Sequence, residues 1–152
     1  MIKLSAIFLD CNLEVIDNLI KYYNVNCYPH VSKERKYKMK RGDSWCAMFI
    51  SVIAHMSGFN FEYEVSVNEI VKSAKIRGDF FCDETLLRVG DLVTYNWNDD
   101  SIPDHIGLVF EIGDGWFDVI EGNKKVVNRV NNTVGVRRVI SDSNNVFGYI
   151  KL

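Results

Sequence analysis

No apolar run in the chain approaches the ~20 residues that a membrane-spanning helix needs. No two cysteines are spaced CxxC, which removes the usual ligands of a zinc ribbon and the usual thiols of a thioredoxin-like motif. Cys27-x-x-His30 could offer two metal ligands, but no credible second pair accompanies it, so no metal or cofactor is expected. An excess of one charge is lacking too: 18 Lys and Arg stand against 20 Asp and Glu, the net charge is −2, and no general basic surface invites nucleic acid. Internal repeats and low-complexity tracts are absent. Residues 1–11 have the apolar tint of an export signal. Their apolar part is short, however, Ser5 interrupts it, and no small-x-small cleavage site comes after it. Leu9-Asp10-Cys11 also lacks the small residues expected before a lipidated cysteine. The segment is read as part of the fold, and the chain is expected to carry no export signal of its own. Cys11, Cys27, Cys46 and Cys82 are then expected to be reduced, with a Cys11–Cys27 disulfide as the alternative.

A chain of 152 residues, 47% hydrophobic and 25% charged, fits one globular domain, expected over 1–152. Leu13, Ile16, Leu19, Ile20 and Tyr23 recur at helical spacing behind Asn12, a suitable cap. Residues 24–40 are polar and basic, with Lys33, Arg35, Lys36, Lys38 and Lys40 interrupted by Tyr28, Tyr37 and Met39. They read as a solvated loop, or alternatively as the rim of a ligand site. A second helix is expected over 66–76, capped by Ser66, with Glu69 completing a capping box and Gly78 closing it. Phe80-Phe81 opens an irregular link. From Gly90 the apolar period changes to two. Strands are expected over 91–95, 105–112, 116–121, 124–130, 134–140 and 146–152, with a polar loop carrying Trp97 at 96–103. Helices first and an antiparallel sheet after them is the α+β class.

Residues 41–58 form the stretch that the rest serves. Asp43 and Ser44 are good cap residues before an apolar run, and Gly58 is a natural stop. A helix apolar nearly all round lies inside a fold. Cys46 falls in its first turn, where unpaired amides and the positive end of the macrodipole favour thiolate and can hold an oxyanion. The plain alternative is a small buried core residue.

A cysteine nucleophile needs a base, and the base needs an orienting group. His55 follows Cys46 by nine residues on the same helix, and at ~100° per residue it faces the opposite side. Nothing in the sequence fixes His30, beside Pro29 in the basic loop. His105 begins an apolar strand, Ile106-Gly107-Leu108-Val109-Phe110, and is well placed to act. With Gly113-Asp114-Gly115 as a three-residue loop, Ile112 faces Trp116, Gly107 faces Glu121, and His105 faces Asn123. A two-residue loop would slip the pairing by one and send Glu121 to the other face. Gly107 is expected to leave room for the helix bearing Cys46.

Trp45-Cys46-Ala47-Met48-Phe49, Gly90-Asp91-Leu92-Val93, His105-Ile106-Gly107-Leu108-Val109 and Glu121-Gly122-Asn123, in this order, resemble the CHAP family (cysteine, histidine-dependent amidohydrolases/peptidases) of the papain-like NlpC/P60 group. The resemblance covers roughly residues 12–152. It implies a papain-like fold, with N-terminal helices packed on a C-terminal antiparallel sheet of about five to six strands. It implies Cys46 as nucleophile, His105 as base, and Glu121 with Asn123 as orienting or oxyanion-supporting groups. It also implies cleavage of an amide bond in bacterial peptidoglycan, in the stem or cross-bridge or between muramic acid and L-alanine. Trp45, Trp97 and Tyr37 are candidates for lining the substrate groove. Some family members carry calcium just before the cysteine helix. Lys38-Met39-Lys40-Arg41-Gly42-Asp43 is basic there, so calcium is not carried over. An enzyme of this kind without an export signal suits a phage lysin, a virion-associated wall hydrolase or an injected antibacterial effector. Access would come from a holin, a virion or a secretion machine, and an effector would call for an immunity protein. The rival readings are a catalytically silent module of the same fold serving a larger assembly, and an amide hydrolase with a non-wall substrate.

Overall fold

The computed structural model describes residues 1–125, 127 and 131–152. Among these the chain forms α1 (Ile2–Ile7), α2 (Leu13–Tyr22), α3 (Cys46–Met56), α4 (Val67–Arg77) and six strands. The strands are β1 (Phe80–Phe81), β2 (Leu92–Tyr95), β3 (His105–Gly113), β4 (Trp116–Lys124), β5 (Thr133–Ile140) and β6 (Val146–Ile150). They make one antiparallel sheet in the order β1-β6-β2-β3-β4-β5, so the chain is α+β as its patterning predicts. Phe80-Phe81 is not an irregular link but pairs with Ile150 and Tyr149 as an edge strand. Of the strand expected over 124–130, Lys124 belongs to the end of β4, and positions 126 and 128–130 lie outside the described residues. No described helix is long and apolar enough to cross a membrane.

Local chemistry accounts for both ends of α4 and the start of α2. Asn12 accepts from the Val15 amide at 3.1 Å, and Ser66 accepts from the Glu69 amide at 3.4 Å. Gly78 ends α4 in the left-handed region at φ 80°. The capping box is incomplete, because Glu69 turns to Lys72 at 2.7 Å and Arg35 at 3.7 Å. Residues 24–40 are no plain loop but hold a π-turn (Tyr23–Cys27) and two short 3₁₀ turns. Asn24 pins their end by bonding both backbone groups of Met39, at 2.8 and 2.9 Å.

Strand alternation sorts the sheet into two apolar faces. Leu92, Ile106, Leu108, Ile120 and Ile150 join the helices, above all α3, of which every residue from Cys46 to Ala54 is buried. Val93, Tyr95, Val109, Phe117, Val119 and Tyr149 lie on the other face, against Phe81, Leu87 and Val146. Burying a Val, Ile or Phe side chain contributes about 1.5–3 kcal/mol, so α3 is the main anchor of the helical layer.

The β3–β4 hairpin corrects the expected turn yet keeps the expected register at its far end. Gly113 pairs with Trp116, which leaves a two-residue loop of Asp114 and Gly115. By alternation alone that loop would send Glu121 to the helical face. A bulge at Phe110 absorbs one residue, and beyond it Leu108 pairs with Ile120. Continuing that pairing sets Gly107 against Glu121 on the face away from α3.

Candidate active site

Cys46 is the first residue of α3 and only 3% exposed. Neither Asp43 nor Ser44 caps the helix: the cap position is Trp45, with no side-chain hydrogen bond. Asp43 instead accepts from Tyr37 Oη at 3.2 Å and from the Lys40 amide at 2.9 Å, closing the loop below. The amides of the first turn are therefore left without a side-chain acceptor at the point where Cys46 begins the helix. Cys46 Sγ lies 4.0 Å from the Asp104 carbonyl oxygen and 4.0 Å from Ser44 Oγ. Its sulfur thus faces the start of β3, where His105 stands.

His105 pairs with Tyr95 in the sheet and is 9% exposed. Its Nε2 is 3.2 Å from Glu121 Oε2, off the line of a well-aligned hydrogen bond. Burial opposes charge on the imidazole. Hydrogen bonding to Cys46 and to Glu121, with their charges, outweighs burial and pushes the His105 pKa up to about 9. Glu121 is fully buried. Burial raises its pKa, but hydrogen bonds and charge from His105 and Arg137 prevail and hold it below the usual value. Since α3 packs on one face of the sheet and Glu121 belongs to the other, His105 joins them around the sheet's end.

The expected constellation is divided. Cys46, His105 and Glu121 come together. Asn123 does not reach the imidazole: it adopts φ 59° where β4 and β5 lose register. It donates from Nδ2 to Ser44 Oγ at 3.1 Å and accepts from Asn132 Nδ2 at 2.8 Å. Asn123 therefore supports the Cys46 side, and Glu121 is the group beside His105. Gly107 also departs from its expected purpose. A methyl group there would meet Glu121 Cγ at 2.9 Å and the Val119 side chain, not the helix. Gly122 is the glycine that admits α3, with Phe49 Cβ 2.5 Å from the corresponding position.

Of the expected groove residues, Trp97 is 42% exposed and its ring centre is 6.3 Å from that of His105. Trp45 is buried against Phe49, with its edge on a cleft of about 380 Å³ that Leu13, Arg41, Asp43 and Asn123 also line. Tyr37 joins that rim through Asp43. His55 and His30 lie elsewhere: Tyr22 Oη is 2.9 Å from His55 Nδ1, and the two imidazoles are 6.0 Å apart beside Tyr63. All four cysteines are free, including Cys11 and Cys27. Among the described residues no three His, Cys, Asp or Glu side chains group as metal ligands.

Sequence patterning misses Arg137 and Tyr95. Arg137 Nε donates to both carboxylate oxygens of Glu121, at 2.8 and 3.0 Å. Tyr95 is buried beside Glu121, and its ring stacks on Trp97 at 4.9 Å. The available signal was the alternation of β5, which turns Arg137 and Arg138 to opposite faces. Arg138 accordingly pairs with Asp118 at 2.8 Å.

No model of a known protein family matches the chain, and no curated protein matches it.

Proposed function

We propose that the protein is a cysteine-dependent amide hydrolase of the CHAP kind, with a papain-like arrangement over its length, acting on bacterial peptidoglycan. The observation that carries this reading is the position of His105, beside both a cysteine at an uncapped helix start and a buried carboxylate 3.2 Å from its Nε2. Such a histidine can exchange a proton with the sulfur while the carboxylate fixes its ring. The choice of peptidoglycan rests on the four ordered motifs resembling the CHAP family.

Each part of the site has a step to perform. The imidazolium of His105 favours the thiolate of Cys46, which attacks the scissile carbonyl carbon. The new C–S bond pushes the carbonyl electrons onto oxygen, and first-turn amides of α3 receive that oxyanion. His105 gives its proton to the leaving amine as the C–N bond breaks. Water, losing a proton to His105, then attacks the thioester and releases the acid and the Cys46 thiolate. Trp97 and the cleft along Trp45, Asp43 and Asn123 supply walls for the substrate on either side.

Digestion of purified peptidoglycan of several wall types, read by mass spectrometry, tests the reading. New paired amine and carboxyl termini are expected with the native chain and none with Cys46→Ala. Products from both proteins, or from neither on any wall type, would overturn the wall-hydrolase assignment.

A further inference from the structure

We propose that Arg137 is a positioning residue of this site, one that keeps Glu121 an aligned carboxylate whichever way the His105 proton moves. The proposal rests on the reading of Cys46 and His105 as nucleophile and base. Glu121 has no exposed surface, and a buried carboxylate is costly without a partner. His105 is a partner only while protonated. When it hands its proton to a leaving amine, a Glu121 with no other counter-charge would be a lone buried anion. The pair would then hold the proton and stall the step.

Arg137 removes that conflict because a guanidinium stays charged throughout. Its Nε reaches Oε1 at 2.8 Å and Oε2 at 3.0 Å, while Oε2 also faces His105 Nε2 at 3.2 Å. The guanidinium is itself held in place, 5.0 Å over the Trp97 ring and 5.9 Å from the Tyr95 ring, and those two rings are stacked nearly parallel. Arg137 thus ties the Trp97 loop above His105 to the carboxylate beside it. The other groups around His105 are Cys46 from α3, Tyr95 from β2 and Glu121 from β4. Asp104, its neighbour, turns its carboxylate to the Trp97 amide and Asn98 and offers only its carbonyl oxygen toward Cys46. Arg137 is therefore the counter-charge that Glu121 keeps once His105 is neutral.

The test is an NMR titration of the His105 imidazole in the full chain and in Arg137→Met, Arg137→Gln, Arg137→Lys and Arg138→Met, with kcat and KM measured on the same proteins. In the Met and Gln variants Glu121 is no longer shared. The His105 midpoint is expected to rise by at least about one pH unit, and kcat to fall by about tenfold or more with KM little changed. Arg137→Lys should restore most of both, and Arg138→Met, which loses an equivalent pair with Asp118, should titrate as the native chain does. An unmoved His105 midpoint in the neutral variants would overturn the proposal. So would failure of both neutral variants to fold while Arg137→Lys folds, since the charge would then serve the scaffold. The titration needs no substrate. A shifted midpoint in a protein that cleaves no amide would sink the hydrolase reading and leave the Arg137–Glu121–His105 coupling standing.

Discussion

Gly107 lies directly against Glu121: a methyl group on its α-carbon would approach Glu121 Cγ to 2.9 Å. The missing side chain makes room for the carboxylate that faces His105. Gly107→Ala is expected to cost about 1–3 kcal/mol of stability through overpacking. It should also lower hydrolysis more than that loss explains, because Glu121 must shift. Urea unfolding alongside kinetics checks both. Gly122→Ala should cost a similar amount of stability by pushing against Phe49 in α3.

Stability should depend on pH from both ends of the site. His105 titrates at about 9 in the fold against an ordinary 6.5. A raised value means that its contribution is complete below pH 6.5 and fades as pH climbs through about 9. Glu121 is held below its ordinary 4.5, so its contribution is present above that value and fades as pH falls below it. Denaturation midpoints measured across pH should show both losses, and Glu121→Gln should flatten each limb.

Ser44 separates capping from chemistry. Because it does not cap α3, Ser44→Ala should change stability by no more than about 0.5 kcal/mol. Asn12→Ala and Ser66→Ala, which remove true caps, should each cost about 1 kcal/mol. Ser44→Ala should still impair turnover, since Asn123 loses the oxygen that anchors it beside Cys46.

Histidine variants should divide sharply. His105→Gln is expected to abolish turnover. His55→Gln, removed from Tyr22 on the other side of α3, should leave kcat within about twofold while costing roughly 0.5–1.5 kcal/mol for the lost hydrogen bond.

Periodicity and caps made α2, α4 and the β2–β3–β4 strands readable, because one residue type at one spacing dominates there. The site was readable where chemistry is intrinsic to a residue: a helix-start cysteine, a strand-start histidine and a carboxylate on the facing strand. What escaped depends on tertiary relations. The bulge at Phe110 compensates a shorter turn, and neither feature has a composition of its own. Trp45 occupies the cap position because Asp43 and Ser44 are drawn to Tyr37, Lys40 and Asn123. Arg137 is one of two adjacent arginines, and only the pairing of β5 with β4 decides which of them meets Glu121.

The most direct test needs no knowledge of the substrate. Rates of Cys46 alkylation by iodoacetamide, followed by peptide mapping to separate it from the other free cysteines, are measured from about pH 5 to 10 in the native chain and in His105→Gln. Rapid labelling at neutral pH is expected in the native chain, where His105 is charged beside the sulfur. The variant should react slowly until the pH becomes alkaline. Identical profiles in the two proteins would contradict a Cys46 nucleophile activated by His105.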